Sequence, residues 1–555
     1  MEYVYLLLLL GVVIALCVLI NRMTDRLKIP SLLLFIGLGI VFGVLLRPKI
    51  GNFTDYALGN VVCSICLVFV IFYGGFGTNY KEAKPVAPRA MLLSSIGTAL
   101  TAGITGAGVY AIFRILPFGG IGWAESMLIG SVLCSTDAAS VFNILRSRRL
   151  NLKYRTSSLL EMESGSNDPV SYMLTAVFVA VIMAQRGAGS AVGGWQIFGM
   201  LCAQIGFGAL SGILFGILGI AVLKRFSLSM GQSSTIFIIA LAMMAYAMPS
   251  VLPGLWAGNG YLAAYICGIM LGNSHIAQKR DAVRFFDALT GVAQMVIFFL
   301  LGLLATPEWL IRLQVIVPAL LIFLFMTLIS RPVAISALLL PFRAKGNQIF
   351  VVSWAGLRGV ASVVFAVYAV GLIGEEYLPY DLFSIVFCVV LLSMLVQGTL
   401  LPLLSKKSDM IAPGGDVLRT FNDYQEEGSV SFVKIVVSEH HPWAGKKLKD
   451  CVMPREFLIV LIVRGEEVLV PNGETQVNAG DLLVTAAPEF ENHEEFGMYE
   501  EYVGDGHAYA GKAIKDLNLP QGVLIAMIKR GGGTVIPYGA TKLQCGDTLV
   551  CIRLT

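Results

Sequence analysis

Apolar positions in this chain run on rather than alternate. Segments of about 20 mostly apolar residues, enough to cross a bilayer as a helix, centre near residues 11, 38, 68, 103, 134, 170, 210, 240, 265, 296, 322, 360 and 391. They predict a polytopic α-helical membrane protein with about 13 transmembrane helices over residues 1–405. The fifth segment is interrupted by Ser135-Thr136-Asp137 and the twelfth by Gly356-Leu357-Arg358-Gly359. Backbone freed by a helix break in lipid must be satisfied by protein groups, so both spans are expected to be broken and to face the interior. Dividing the spans as six, one and six makes the fifth and twelfth equivalent, as in inverted-repeat transporters with a midplane site. Pro249, Pro253 and Gly258 mark the junction of the eighth and ninth spans.

The pattern changes near Lys406. A linker, about 406–430 with Pro413-Gly414-Gly415, leads into short β-branched runs separated by glycine turns. Ala444-Gly-Lys, Asp450, Pro454, Arg464-Gly465, Pro471, Gly473 and Gly480-Asp481 recur at a constant offset of 66 as Ala510-Gly-Lys, Asp516, Pro520, Arg530-Gly531, Pro537, Gly539 and Gly546-Asp547. An ungapped repeat of this kind predicts two copies of one small α/β module, residues 431–490 and 497–555, each with a helix starting near its Gly-Lys.

Composition agrees with the pattern. Of 555 residues, 56% are hydrophobic and 14% charged, well below the ~25% charged of soluble domains, so membrane lipid solvates most of the chain. A net charge of +4 gives no case for nucleic acid. Ten scattered cysteines suggest no disulfide framework or zinc site, and Cys63-x-x-Cys66 is a pair only by spacing. The apolar run Tyr3 to Ile20 has no basic start and is expected to be a retained span, not a signal peptide. Twenty Lys and Arg residues fall in loops after odd-numbered spans, the first being Arg22, Arg26 and Lys28, against five after even-numbered ones. That bias places the N-terminus outside and the tail in the cytoplasm of a bacterial-type inner membrane.

Candidate chemistry lies between Leu133 and Met173. Asp137, Glu163 and Asp168 stand in otherwise apolar spans, at roughly 3 kcal/mol each on insertion scales, so they are expected to be paired, wetted or used. Residues four apart share a helix face, which puts Ser164 with Asp168 and Glu163 with Asn167. Oxygen ligands suit hard cations. Asp168, Asp137, Ser164 and the backbone near Thr136 form a candidate monovalent-cation site, with Asn167 beside it carrying no charge. A desolvated carboxylate holds a proton more tightly, so cation and proton would compete for Asp168; one titrating carboxylate favours electroneutral exchange. Glu163 fits a structural ion pair, since Arg331 and Arg358 are also intramembrane and each needs a counter-charge. Pro169 leaves the carbonyl of residue 165 without its helical donor.

Thr136-Asp137, Glu163-Ser164-x-x-Asn167-Asp168, Arg331-Pro332 and Gly356-Leu357-Arg358-Gly359 resemble, in span order as well as motif, the NhaP-type members of the monovalent cation:proton antiporter-1 family. The resemblance implies an NhaA/NhaP-like fold, a homodimer and elevator-like alternating access. It makes Asp168 the ion-binding aspartate, with Asp137, Ser164 and the Thr136 backbone nearby, pairs Glu163 with Arg331, and reads Asn167-Asp168 as the electroneutral branch. Several relatives carry an acidic residue before the paired glycines of span three, where this chain has Tyr73-Gly74-Gly75. Both tail modules resemble the TrkA-C module of regulators of potassium conductance. That likeness implies dimeric packing and a small regulatory ligand, cyclic di-AMP or another nucleotide, and tips the transported ion toward potassium over sodium. No G-x-G-x-x-G lies between a strand and a helix in the tail, so NAD is not expected. No cofactor is implied beyond the transported ions. A ligand-gated cation channel is the remaining transport alternative, but no Thr-Val-Gly-Tyr-Gly filter is present. The five histidines make no catalytic constellation, and an enzyme is not expected.

Overall fold

The computed structural model describes residues 11–19, 31–50, 55–187, 193–225, 231–252, 257–274, 279–374 and 378–412, apart from positions 14, 118, 149 and 379, and most of 430–554. Arg22, Arg26, Lys28, Pro253 and Pro413-Gly414-Gly415 lie outside the described residues, as do several repeat positions of the tail, Pro454, Gly465, Pro520 and Gly531 among them. The chain forms two compact units, Met1–Glu426 and Glu427–Thr555.

Helix follows the apolar runs of the first unit. Residues 11–13 and 15–19 are helical, followed by α1 (Ser31–Ile50), α2 (Tyr56–Gly77), α3 (Ala87–Ile115), α4 (Trp123–Leu133), α5 (Ala138–Ser147), α6 (Thr156–Gln185) and α7 (Gly194–Arg225). Next come α8 (Gly231–Ser250), α9 (Gly260–Gly272), α10 (Lys279–Leu304), α11 (Leu313–Phe342), α12 (Gly346–Trp354), α13 (Val360–Ile373) and α14 (Leu382–Lys407). Eight of the described helices are long and apolar enough to cross a membrane, and four more apolar helices are shorter. Each expected span centre falls in helix or in one of the two expected breaks, α4/α5 and α12/α13.

Two groups of helices pack into separate bundles. Helices α1, α2 and α7–α10 contact one another, whereas α3–α6 and α11–α14 form the second group. The second group contains the last three spans of each six, and its halves share local features. Besides the two breaks, α3 carries a π-turn at Leu93–Gly97 and α11 one at Met326–Ser330. Such turns free backbone groups for side chains and neighbouring helices. Here Ser330 bonds the Thr105 hydroxyl at 2.8 Å and donates to the Thr101 carbonyl at 3.1 Å. The groups meet along a seam where α13 packs on α2 and α6 packs on α9.

The chain leaving α14 is stitched back onto the loop between α5 and α6. Leu152 pairs with Ile411 in an antiparallel bridge; Lys153 N donates to Met410 O at 2.8 Å and Ala412 N to Asn151 O at 3.0 Å. Met410 is fully buried with Leu150 and Leu152 in a cluster that also draws on α5, α6, α11, α12 and α14.

The second unit holds two four-stranded antiparallel sheets. Strands β1 (Val430–Val436), β2 (Leu458–Arg464), β3 (Glu467–Leu469) and β4 (Leu482–Pro488) take the order β1-β4-β2-β3. Strands β5 (Phe496–Tyr502), β6 (Val523–Arg530), β7 (Gly533–Val535) and β8 (Thr548–Leu554) repeat it as β5-β8-β6-β7. Where a helix is expected after each Gly-Lys, the described residues form a single 3-10 turn, Leu448–Asp450 and Ile514–Asp516, which ends in extended backbone at Cys451 and Leu517. The repeat extends to side chains. Arg464 clasps buried Asp481 through two 2.8 Å bonds, and Arg530 clasps buried Asp547 through two of 2.7 Å. Each arginine holds its partner's carboxyl below the usual aspartate range. Gly480 and Gly546, just before these aspartates, have φ of +90° and +93°, a region in which a Cβ is strained.

Candidate functional site

The site is built where the two broken spans meet α6. The gaps at 134–137 and 355–359 face each other: Asp137 N donates to Leu357 O at 2.8 Å, and a Cβ on Gly359 would collide with the Asp137 side chain. Broken helices present carbonyls at one new end and N–H groups at the other, with partial charges of matching sign. Asp137 caps the new start of α5, accepting from Ser140 N at 3.3 Å and Ser140 Oγ at 2.5 Å. Arg358, fully buried, serves the new end of α4, donating from Nη1 to the carbonyls of Cys134 and Ser135 at 2.8 Å each. Its backbone N–H donates to Ser393 Oγ at 3.0 Å, in the π-turn Ser393–Gln397 of α14.

Four residues of α6 reach this crossing or its surroundings. Ser164 Oγ donates to Thr136 O at 2.6 Å. Asn167, fully buried, donates to Thr136 Oγ1 at 2.6 Å and accepts from Thr136 N at 3.4 Å. Asp168 accepts a hydrogen bond from the Ser135 hydroxyl. Glu163 turns away and receives Arg331 Nη2 at 3.0 and 3.2 Å, both side chains being buried. The Arg331 guanidinium packs against Gly356, where a Cβ would strike it.

Of the predicted residues, Asp168, Asn167 and Ser164 converge on Ser135-Thr136, with Asp137 next in sequence, while Glu163 and Arg331 form a separate ion pair. Arg358, expected in an ion pair with Glu163 or another carboxylate, is instead held by main-chain carbonyls. Among the described residues no carboxylate lies within ion-pair distance of it, because the carbonyls left by the break already supply negative potential. Asp168 and Asp137 stay half-buried, unlike Glu163 and Asn167.

Two contributors were missed. Ser135 read only as part of the break, and nothing in its spacing ties it to a residue 33 positions away. Asn259 caps α9 by accepting from Leu262 N at 3.1 Å, and its amide donates to Pro169 O at 2.7 Å, steadying α6 beside Asp168. An Asn before a helical run is a recognisable cap, but its second contact is tertiary. Among the described residues no group of three or more His, Cys, Asp or Glu could hold a metal ion.

Residues 12–407 match the family described as the sodium/hydrogen exchanger, transmembrane. The chain belongs to that family. Its tail matches the TrkA-C domain twice, over 432–488 and 498–552, making it an NhaP-type member with a TrkA-C tail. The family chain is 32% identical over 482 residues to the K(+)/H(+) antiporter NhaP2 of Shewanella oneidensis, covering 86% of this chain and 80% of that one. It is 28% identical over 469 residues to the K(+)/H(+) antiporter NhaP of Alkalimonas amylolytica, covering 83% and 78%. Its fold is similar to the solved sodium proton antiporter MjNhaP1 of Methanocaldococcus jannaschii, with a TM-score of 0.64 at 21% identity over 73% of this chain and 99% of that one.

Proposed function

We propose that this protein exchanges potassium ions for protons, one for one, across a cell membrane, with cation and proton competing for Asp168. The carrying observation is the contrast between two carboxylates on one helix. Glu163 is buried and neutralised by Arg331, whereas Asp168 is half-buried and, among the described residues, has no cationic partner. The fixed positive charges nearby are engaged elsewhere, by Glu163 and by the carbonyls of α4, so a mobile cation or proton is the available counter-charge. Asp168, Asp137, Ser164 and the Thr136 carbonyl supply hard oxygen ligands, and Asn167 holds the break in register. The names of the Shewanella and Alkalimonas relatives support potassium. Sodium is the second reading, favoured by a relative 25% identical over 399 residues, the Na(+)/H(+) antiporter ApNhaP of Aphanothece halophytica.

Residues 1–405 would form the transport domain of a homodimer working by alternating access, with the N-terminus outside. The linker 406–430 would join it to cytoplasmic sensors, 431–490 and 497–555, that bind a small ligand such as cyclic di-AMP; binding to the full chain should change the exchange rate. The test of exchange is dequenching of a pH-gradient dye in proteoliposomes on adding potassium, sodium or lithium. Potassium-driven dequenching that vanishes in Asp168→Asn is expected. Sodium-only dequenching would replace the ion, and silence with every cation, repeated with the tail removed after residue 405, would overturn the reading.

A further inference from the structure

One polar group beside the site is buried without a hydrogen bond. It is the hydroxyl of Tyr265, a 5% exposed residue of α9. Thr78, at the end of α2, and Ser166 of α6 stand next to it, but each gives its own proton to a carbonyl of its helix. Thr78 Oγ1 donates to Gly74 O at 2.8 Å and Ser166 Oγ to Met162 O at 2.6 Å. Tyr265 belongs to the helix group opposite Asp168. There α9 lies so close on α2 that a Cβ on Gly75 would strike the Tyr265 carbonyl, and one on Gly272 the Phe76 carbonyl. That fit fixes the level at which the ring meets α6 across the seam.

The level falls between two carboxylates. A Cβ on Gly165 would sit 3.4 Å from Tyr265 Cε2 and 3.5 Å from its hydroxyl oxygen, so the tip of the ring rests against a position of α6 that carries no side chain. Glu161, Gly165 and Asp168 stand at i, i+4 and i+7 and share one helix face. Along the axis Gly165 is about 6 Å from Glu161 and about 4.5 Å from Asp168. Both carboxylates act on the hydroxyl electrostatically, and both are half-buried. Glu161 is the nearer of the two to the basic loop 146–155, the side that charge bias assigns to the cytoplasm. From that side the order is carboxylate, unbonded hydroxyl, carboxylate.

Resting on the antiport reading, we propose that Glu161 and the hydroxyls of Tyr265, Ser166 and Thr78 form a second subsite for the monovalent cation, one step from Asp168 on the cytoplasmic side. All four groups offer oxygen, which suits a hard cation. Ser166 and Thr78 already donate elsewhere, so their lone pairs remain for an ion, and the Tyr265 oxygen makes no competing bond. A pathway needs sites that replace water yet let the ion go. One carboxylate with neutral hydroxyls is a weaker set than Asp168 with Asp137, so the ion is passed inward. Tyr265 comes from the opposite helix group, so any shift of one group along the other takes the subsite apart.

The test measures binding of radioactive rubidium, a stand-in for potassium, to full-length protein in detergent at alkaline pH. Asp168→Asn should keep part of the wild-type binding, and adding Tyr265→Phe or Glu161→Gln to it should remove what is left. In proteoliposomes Tyr265→Phe alone should raise the apparent potassium KM several-fold while the maximal rate and the melting temperature stay near wild type. Gly165→Ala, which sets a methyl beside the hydroxyl and keeps every polar group, should move KM the same way. Rubidium binding by Asp168→Asn that is absent, or the same with and without Tyr265→Phe, overturns the subsite, as does a wild-type potassium KM in Tyr265→Phe. The antiport reading is judged separately, by potassium-driven dequenching of wild-type protein. Wild-type exchange with rubidium binding blind to Tyr265 removes the subsite alone. No wild-type exchange, with rubidium bound by Asp168→Asn and lost on adding Tyr265→Phe, removes the antiport reading and leaves a cation site.

Discussion

Replacing Glu163 by leucine would strand the Arg331 guanidinium, 4% exposed, with no carboxylate. Breaking a buried pair by removing one partner costs about 3–5 kcal/mol, whereas replacing both partners by apolar side chains of similar volume is often neutral. Glu163→Leu should be the worse single variant, because arginine cannot shed its proton, while the carboxylate stranded by Arg331→Met can be neutralised by taking one up. At roughly 2–4 °C per kcal/mol for 150–250 residues, and less for a longer chain, Glu163→Leu is expected to lower the apparent melting temperature by about 4–8 °C. Glu163→Leu/Arg331→Met should lie above Glu163→Leu alone. The assay is melting in detergent followed by fluorescence-detected size exclusion, with all four proteins compared as a double-mutant cycle. Additive losses in the double variant would refute the pairing.

Gly359→Ala is expected to push Asp137 from its cap and to cut the exchange rate by about 100-fold, the penalty of a ~1 Å misplacement at a reacting centre, measured by dye dequenching at saturating cation. Asn259→Ala leaves α9 uncapped and Pro169 O without its amide donor; each loss is worth about 1 kcal/mol, and a matching drop in melting temperature without loss of ion dependence is the expected result. Met410→Asp places a charge at a fully buried position under the 150–152 loop and should free the start of the linker to limited proteolysis near residue 410, wild type being resistant there. In the tail, Arg464 and Arg530 depress the carboxyls of Asp481 and Asp547 below their ordinary value of 3.8. A group whose folded pKa is lowered stabilises the fold above its unfolded pKa and loses that contribution as pH falls through the folded value. Hydrogen exchange of β4 and β8 in the full chain should therefore hold steady from pH 7 to 5, after correction for intrinsic rates, and lose protection below about pH 4; Asp547→Asn should lose it in β8 already at pH 7.

Much of this architecture was legible from local signals, because lipid imposes them. A span must be long and apolar, a break must carry its own polar residues, and a constant 66-residue offset must give two copies of one sheet. Ser135-Thr136-Asp137 and Gly356 to Gly359 could be recognised as breaks without knowing what they face, and the pairing of Ser164 with Asp168 on one face follows from helical periodicity. What each group bonds to was decided only by the tertiary structure. Arg331 and Arg358 are both intramembrane arginines, and periodicity gives no reason for one to take Glu163 and the other the carbonyls of Cys134 and Ser135. Ser135 reaching Asp168 and Asn259 reaching Pro169 are contacts between distant segments. Hydrophobic pattern sets which segments enter the membrane; the close fit of their surfaces, residue against residue, sets which side chains meet there.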